Sequence, residues 1–205
     1  MRTVVFANQK GGVGKTTLAG HIAVEAMARG EKVVLMDTDP QGSLSAWWNA
    51  RSNADLAFAS ARLDELDAQL RALADEGYTL VVLDTPPAIT STIASVVAAA
   101  DLVVIPTRAS PHDLRAVGAT VELCPTRPVF VINGAAQRAR ITTQAAIALS
   151  THGAVAPSVI YQRTDFAGAM TDGRTLQEVD PTGNGAREIA ELWMYVDKQL
   201  NGAAK

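Results

Sequence analysis

The sequence predicts an α/β fold, with a mostly parallel twisted sheet and helices on both of its faces. Short apolar runs suited to strands alternate along the chain with longer segments of helical spacing, which is the pattern of a parallel sheet with crossover helices. A glycine-rich turn separates the first strand, predicted at 3–7, from the first helix, predicted at 18–29. The length of 205 residues and the 48% apolar content favour one domain over 1–205 with a sizeable core.

The other elements are placed by apolar runs, helical periodicity and turn residues. Four leucines recur at helical spacing, namely Leu63, Leu66, Leu70 and Leu73. Gly77 ends that helix, Pro111 suits the first turn of another, and Ser43 is expected to cap a short one. Strands are predicted at 32–36, 56–60, 78–83, 102–105, 129–132 and 155–160. Helices are predicted at 43–48, 63–77, 90–100, 111–123, 141–150, 164–170 and 186–200, with a loop at 180–185 and a frayed tail at 201–205.

The composition excludes several classes of protein. The formal net charge of -3 at pH 7 argues against a protein that coats nucleic acid by bulk charge, so any DNA contact needs a local basic patch. The single cysteine, Cys124, cannot build a disulfide framework within the chain and fits a reducing compartment. No signal peptide is visible, and no apolar run approaches the roughly 18 residues of a membrane span. We therefore expect a cytoplasmic protein with no membrane partner.

A glycine-rich turn with two lysines follows the first predicted strand, and it reads Lys10-Gly11-Gly12-Val13-Gly14-Lys15-Thr16-Thr17. Glycines let backbone N–H groups approach phosphates, and the start of the next helix adds positive potential there. Lys15 can reach the β- and γ-phosphates of a nucleotide, and the Thr16 hydroxyl can bind Mg²⁺. Gln9 replaces the first glycine of the usual pattern, and Lys10 is an additional cation. The turn therefore predicts a variant P-loop.

Acidic residues follow two other predicted strands, and ligands of parallel sheets bind at that edge. Asp84 comes directly after a strongly apolar strand and can bind Mg²⁺ as a Walker-B aspartate does, or it can cap a turn. Asp37 is nearer its strand and is assigned to the Mg²⁺ shell with Thr16 and Asp84. Asp39 lies further out, where it could orient an attacking water, although Asp39-Pro40 also suits a simple turn.

Three segments together resemble the ParA/MinD superfamily: the K-G-G-x-G-K-T-T loop, residues 37–41 as switch I and residues 84–87 as switch II. The resemblance implies a single deviant-Walker P-loop ATPase domain that uses ATP and Mg²⁺ and forms an ATP-dependent homodimer. It implies that Lys10 crosses the dimer interface to the partner's phosphates and acts in catalysis with Lys15. It also implies that Asp39 positions the water and that hydrolysis is slow.

The resemblance extends to the base and to DNA. Asn133 at a strand end is implied to bond the adenine, although asparagine is also a good turn residue. Tyr161 or Arg163 could stack on adenine or simply line the surface. No acidic residue occurs between Glu122 and Asp165 while several arginines do, so a basic face is possible, although these can equally be ordinary solvated arginines. The DNA-contact candidates are Arg163 and Arg187, and Asn184 stands where relatives often carry arginine.

Only two residues precede the first strand, so we expect a small ParA-type partition ATPase without an N-terminal helix-turn-helix domain. The resemblance implies an ATP dimer that binds non-specific DNA, associates with the nucleoid and is stimulated by a ParB-type centromere-binding protein during plasmid or chromosome partition. A positioning ATPase that places a protein complex without DNA is the alternative. An enzyme that transfers phosphate to a metabolite is a third class. The tail at 201–205 lacks the basic amphipathic helix of MinD-type membrane ATPases.

Overall fold

The computed structural model describes residues 1–53, 55–88 and 91–203. The strands are β1 (Arg2–Phe6), β2 (Val33–Asp37), β3 (Ala57–Ser60), β4 (Leu80–Asp84), β5 (Leu102–Thr107), β6 (Val129–Ala135), β7 (Ala154–Val155) and β8 (Ile160–Tyr161). The helices are α1 (Lys15–Ala28), α2 (Ser43–Asn49), α3 (Leu66–Asp75), α4 (Ser91–Ala98), α5 (Pro111–Val121), α6 (Arg140–Ser150), α7 (Thr164–Met170), α8 (Leu176–Val179) and α9 (Asn184–Ala203). Within these ranges no helix is both long and apolar enough to cross a bilayer.

The strands form one sheet in the order β3-β2-β4-β1-β5-β6-β7, with β8 also paired to β6, and every described pairing is parallel. Side chains alternate along β1, so that Val4 and Phe6 join one hydrophobic core and Val5 joins the other. The first core is closed by α1 and α9, and the second by α4, α5 and α6. The structure thus confirms the predicted α/β fold with helices on both faces of the sheet.

Several boundaries differ from the prediction for local physical reasons. The run 155–160 is two short strands, because Val155 pairs with β6 at Phe130 and Ile160 pairs with it further on, at Asn133. Pro106 does not end β5, which continues to Thr107 with Pro106 in register opposite Val131. β6 likewise continues past Asn133 to Ala135.

Several helix starts also differ, including α1, which begins at Lys15 rather than residue 18, and α3, which begins at Leu66 rather than residue 63. α8 was not predicted, and a capping box between Thr175 and Glu178 defines it. Ser43 is the first residue of α2 rather than its cap, because Gly42 occupies the cap position in a left-handed conformation. α9 begins inside the predicted loop 180–185. Residue 90 of the predicted helix 90–100, and residues 204–205 of the predicted tail, lie outside the described residues.

Parallel pairing brings the carboxyl ends of five neighbouring strands to one edge of the sheet. β1 lies between β4 and β5, so the loop that leaves β1 is central to this edge. The Cα atoms of Asp37 and Asp84 are partners in the register of β2 and β4. Residues that are far apart in sequence therefore meet around the glycine-rich loop, as expected for a parallel sheet.

Candidate nucleotide site

A cleft of about 550 Å³ lies over this edge of the sheet. Most of the residues predicted to bind the nucleotide line it, namely Gly11, Gly12, Gly14, Lys15, Thr16, Thr17, Asn133 and Tyr161. Asp39 from the loop after β2 lines it as well. Of the predicted set, Val13 is buried beneath the loop and Lys10 is exposed on its outer side. The structure thus brings together groups from the ends of β1, β2, β6 and β8.

The glycine-rich loop is fixed by a contact that its sequence does not reveal. Asn133 Nδ2 donates to the Val13 carbonyl at 2.6 Å, which ties the end of β6 to the loop. Gly14 has φ +95, and a Cβ atom there would lie 2.1 Å from Asn133 Nδ2. Position 14 therefore needs glycine for both its backbone conformation and the close approach of Asn133.

The two lysines of the loop lie in different environments. Lys15 is 7% exposed, and its Nζ donates to the Lys10 carbonyl at 3.4 Å. Burial lowers the pKa of Lys15, while the carboxylates of Asp84 and Asp39 act in the opposite direction. The Lys10 side chain is exposed and makes no ion pair or side-chain hydrogen bond with any described residue. One cation is therefore held within the cleft, and the other is exposed on the same loop, unpaired among the described residues.

The candidate metal ligands Thr16 and Asp84 are in direct contact. Thr16 Oγ1 donates to Asp84 Oδ2 at 2.5 Å. Burial raises the pKa of Asp84 to about 7, and the Asp37 carboxylate adds to this, while the Thr16 hydroxyl and Lys15 oppose it. A hydroxyl and a carboxylate are oxygen ligands that Mg²⁺ accepts, and a cation beside Asp84 favours its ionised form. The described residues contain no cluster of three or more His, Cys, Asp or Glu that could hold a metal alone.

Asp37 has a structural contact that sequence reasoning missed. Its Oδ2 accepts hydrogen bonds from the Ser45 backbone N at 2.9 Å and from Ser45 Oγ at 3.1 Å. Its Oδ1 accepts one from the Asp39 backbone N at 3.0 Å. Asp37 therefore accepts a backbone N–H bond from the first turn of α2, where the cap residue Gly42 has no side chain to do so. Asp39 Oδ1 accepts a hydrogen bond from the Gln41 backbone N at 2.9 Å. Asp39 therefore forms a turn with Pro40 and Gln41, which was the alternative to a role in orienting water.

The two arginines proposed for DNA lie near each other but differ in their pairing. The guanidinium of Arg163 is ion-paired with Glu188, and Glu188 also accepts a bond from the Tyr161 backbone N at 3.1 Å. Arg187 is exposed. Both line a hollow of about 390 Å³ to which Arg138 and Glu191 also contribute. Because Glu188 neutralises Arg163, the positive potential of this hollow depends chiefly on the other arginines.

Among the residues that line the cleft, Arg108, Phe166 and Ala167 were not predicted, and Gln162 lines it beside the predicted Tyr161. The position of Arg108 directly after β5 was a usable signal, because it places the side chain at the same sheet edge as the P-loop. No comparable local signal marks Phe166 and Ala167, which reach the cleft through the packing of α7.

The fold and this cleft define a P-loop nucleotide-binding protein. Residues 4–176 match the family model described as the CobQ/CobB/MinD/ParA nucleotide binding domain. The chain therefore belongs to the ParA/MinD family, whose members are nucleoside triphosphatases.

Relatives of the chain include partition and positioning proteins. In an alignment 233 positions long, it is 31% identical to the chromosome-partitioning ATPase Soj of Thermus thermophilus, and the alignment covers 94% of each chain. It is 49% identical over 123 residues to the maintenance of carboxysome distribution protein A of Gloeobacter kilaueensis, a match that covers 58% of this chain and 55% of that protein.

A solved structure shows the same fold. The septum site-determining protein MinD of Pyrococcus horikoshii, complexed with Mg-ADP, superposes with a TM-score of 0.80. The two chains are 18% identical, and the match covers 100% of this chain and 99% of that one.

Proposed function

We propose that this chain is an ATPase that forms a homodimer with ATP and Mg²⁺, and that the dimer binds DNA non-specifically to partition a plasmid or chromosome. The observation that carries the proposal is the contrast between the lysines of one loop. Lys15 is buried with its Nζ donating to the Lys10 carbonyl, where it serves the chain's own nucleotide. Lys10 is exposed and unpaired among the described residues, so it is available to a nucleotide bound by a second copy.

Within one subunit the residues divide the work of phosphoryl transfer. The backbone N–H groups of 11–17 and the Lys15 ammonium bind and orient the phosphates. Thr16 and Asp84, with Asp37 beside them in register, would hold Mg²⁺, which supplies charge neutralisation at the phosphates. Asp39 lies on the cleft wall and orients the attacking water. Asn133, which is joined to the loop, and Tyr161 contribute to the base side.

Asp37 and α2 supply the element that responds to the nucleotide. Asp37 either caps α2 through Ser45 or turns toward the metal shell beside Asp84, and the two roles compete for one carboxylate. Occupation of the cleft therefore biases the start of α2. This change accompanies dimerisation in the proposed cycle, and hydrolysis reverses it.

The DNA contacts are assigned to the hollow lined by Arg138, Arg163 and Arg187. Backbone phosphates need cations rather than base-reading groups, and two copies of the hollow in a dimer raise the affinity. The ATP-bound dimer would then associate with the nucleoid, and a ParB-type centromere-binding protein would stimulate hydrolysis and release it. The name of the Soj relative supports this assignment.

A positioning ATPase that acts on a protein complex without DNA is the second candidate, and a specific observation favours it. Glu188 neutralises Arg163, and Glu191 lines the same hollow, so the basic patch is weaker than its arginine count indicates. The name of the Gloeobacter relative refers to the distribution of carboxysomes, which supports a positioning role.

The two candidates are separated by fluorescence anisotropy of a random-sequence DNA duplex, titrated with the Asp39→Ala protein, in which hydrolysis is expected to be blocked, plus Mg²⁺ and either ATP or ADP. A role in DNA partition predicts that the protein binds the duplex with ATP but not with ADP, and that the affinity falls steeply as the salt concentration rises. Arg187→Ala should weaken DNA binding severalfold. Arg62→Ala should not, because Arg62 is 63% exposed and its one ion pair with a described residue is to Glu65. Dimerisation with ATP but no DNA binding at low salt would instead favour the positioning role.

A further inference from the structure

Arg108 stands on the base side of the cleft with no assigned role. It follows β5 directly, and its side chain is exposed. In the part of the chain that the structure describes, its guanidinium makes no ion pair and no hydrogen bond. An arginine with five free donors beside a nucleotide cleft is a candidate ligand group.

Arg108 and Gln162 converge on one glycine. A Cβ atom built on Gly134 would lie 3.8 Å from Arg108 Nε and 3.1 Å from Gln162 Oε1. Gly134 has φ +64, so glycine is favoured there by the backbone as well. The Gln162 backbone N donates to the Ala135 carbonyl at 2.9 Å, which fixes the residue relative to β6. Gly134 thus exposes backbone without a side chain, bordered by the Arg108 guanidinium and the Gln162 amide, and we call this surface the floor.

The position of this floor relative to the P-loop indicates which part of a nucleotide reaches it. The phosphates belong at Gly11 to Thr17, above the end of β1, and the floor lies two strands away at the end of β6. Asn133 lies between the two regions, and its Nδ2 already donates to the Val13 carbonyl. Asn133 therefore has one donor fewer for the base, and other groups must complete the recognition of its edge and face.

We propose that Arg108 contacts the base of the bound nucleotide, with its guanidinium plane against the ring over Gly134, while Gln162 hydrogen-bonds the base edge. This inference rests on the proposed nucleotide site. Guanidinium groups stack on aromatic rings, and the delocalised plane that makes this possible is absent from lysine. Gln162 can present either its oxygen or its nitrogen to the ring edge.

Arg108 could instead contact a phosphate of the nucleotide. A ligand that has phosphates but no base distinguishes a phosphate contact from a base contact. Isothermal titration of Mg-ADP and of Mg-pyrophosphate into the wild-type chain, Arg108→Gln and Arg108→Lys gives the test without dimerisation on ATP. We expect Arg108→Gln to weaken Mg-ADP about tenfold, the scale of a stacked cation, and to leave Mg-pyrophosphate unchanged. Arg108→Lys should recover little of the loss, because the ammonium lacks the guanidinium plane.

Gln162→Ala provides a second measurement, and it should weaken Mg-ADP severalfold without affecting Mg-pyrophosphate. Arg62→Gln is the matched control at an exposed arginine outside the cleft. A parallel loss of both ligands in Arg108→Gln would show a phosphate contact and overturn the proposal, as would the absence of any loss. If the wild-type chain bound neither ligand, the proposed nucleotide site itself would be wrong, and the two failures are thus distinguishable.

Discussion

At the residue scale, the loop depends on two glycines that differ in their surroundings. Gly12 and Gly14 both have positive φ, +71 and +95. A Cβ atom on Gly12 would meet nothing within 4 Å, whereas one on Gly14 would lie 2.1 Å from Asn133 Nδ2. The pair therefore separates the cost of the backbone conformation from the cost of displacing Asn133.

Gly12→Ala should destabilise the fold by about 1 kcal/mol, the usual cost of a left-handed alanine. Gly14→Ala should cost about 1–3 kcal/mol more and abolish nucleotide binding, because it also breaks the bond from Asn133 to Val13. Urea unfolding and Mg-ADP titration measure the two effects. Adding Asn133→Ala to Gly14→Ala should restore part of the lost stability. Equal stability of the two single variants would contradict this account.

The loop and the carboxylates could be predicted from the sequence because their spacing is local. Lys15 and Thr16 are set by the turn between a strand and a helix, and Asp84 by the end of its own strand. The bond from Asn133 to Val13 could not be predicted, since it depends on which strands are neighbours and where they pair. The convergence of Arg108 and Gln162 on Gly134 was hidden for the same reason.

At the scale of elements, the C-terminal helices are fastened to the nucleotide side of the molecule. The Arg51 guanidinium, 2% exposed at the side chain, pairs with Glu178 of α8 at 2.8 Å and stacks over Trp47 of α2 at 5.1 Å. Trp47 Nε1 in turn donates to the Arg174 carbonyl at 3.2 Å. The first turn of α2 is hydrogen-bonded to Asp37, so these contacts connect the candidate metal shell with α8. α8 was missed although Thr175 and Glu178 have the spacing of a capping box, because the helix is short and has little periodicity of its own.

His21 forms a second connection between elements, and it is sensitive to pH. The ring is fully buried between α1 and α8, with Nδ1 2.8 Å from the Thr17 carbonyl. Its Nε2 accepts from the Leu176 backbone N at 3.2 Å, which requires a neutral ring protonated at Nδ1. Burial lowers the pKa of His21 to about 4, although the Thr17 carbonyl and the Glu178 carboxylate oppose the shift, and Phe166 packs edge-on against the ring.

The unfolded chain therefore binds a proton that the folded chain excludes, and stability falls as pH drops from about 6.5 toward 4. Between pH 7 and pH 5 the loss from this one group should be about 2 kcal/mol. Urea unfolding of the wild-type chain and of His21→Gln at both pH values isolates the contribution of His21 to the pH dependence of stability. The raised pKa of Asp84 makes the folded chain more stable as pH falls over this range, which is opposite to the effect of His21. Asp84 is present in both chains, so its contribution cancels in the comparison. Identical pH dependence in the two chains would rule out the assignment.

At the scale of the whole molecule, the proposed function requires two copies of the chain to share their nucleotide sites. The sheet explains how one loop can serve two subunits. The P-loop leaves the central strand β1 at an exposed edge, with Lys15 turned inward and Lys10 outward. In a dimer formed across this edge, Lys10 would bind phosphates that its own subunit does not hold.

Lys10→Ala should therefore weaken ATP-dependent dimerisation at least tenfold, because it removes one partner of a charge-assisted contact at the interface. Binding of Mg-ADP to the single chain should change less than twofold, since the contact lies in the other subunit. Sedimentation velocity with ATP and Mg²⁺ measures the dimer in an Asp39→Ala background, where hydrolysis is expected to be blocked.

Lys198→Ala is the matched control, at an exposed lysine of α9. It should dimerise as the parent does. The same loss in both variants would show that general charge, rather than the position of Lys10 on the loop, governs assembly. A Lys10→Ala chain that dimerises normally would mean that the loop serves only its own subunit, and the second lysine would then need another explanation.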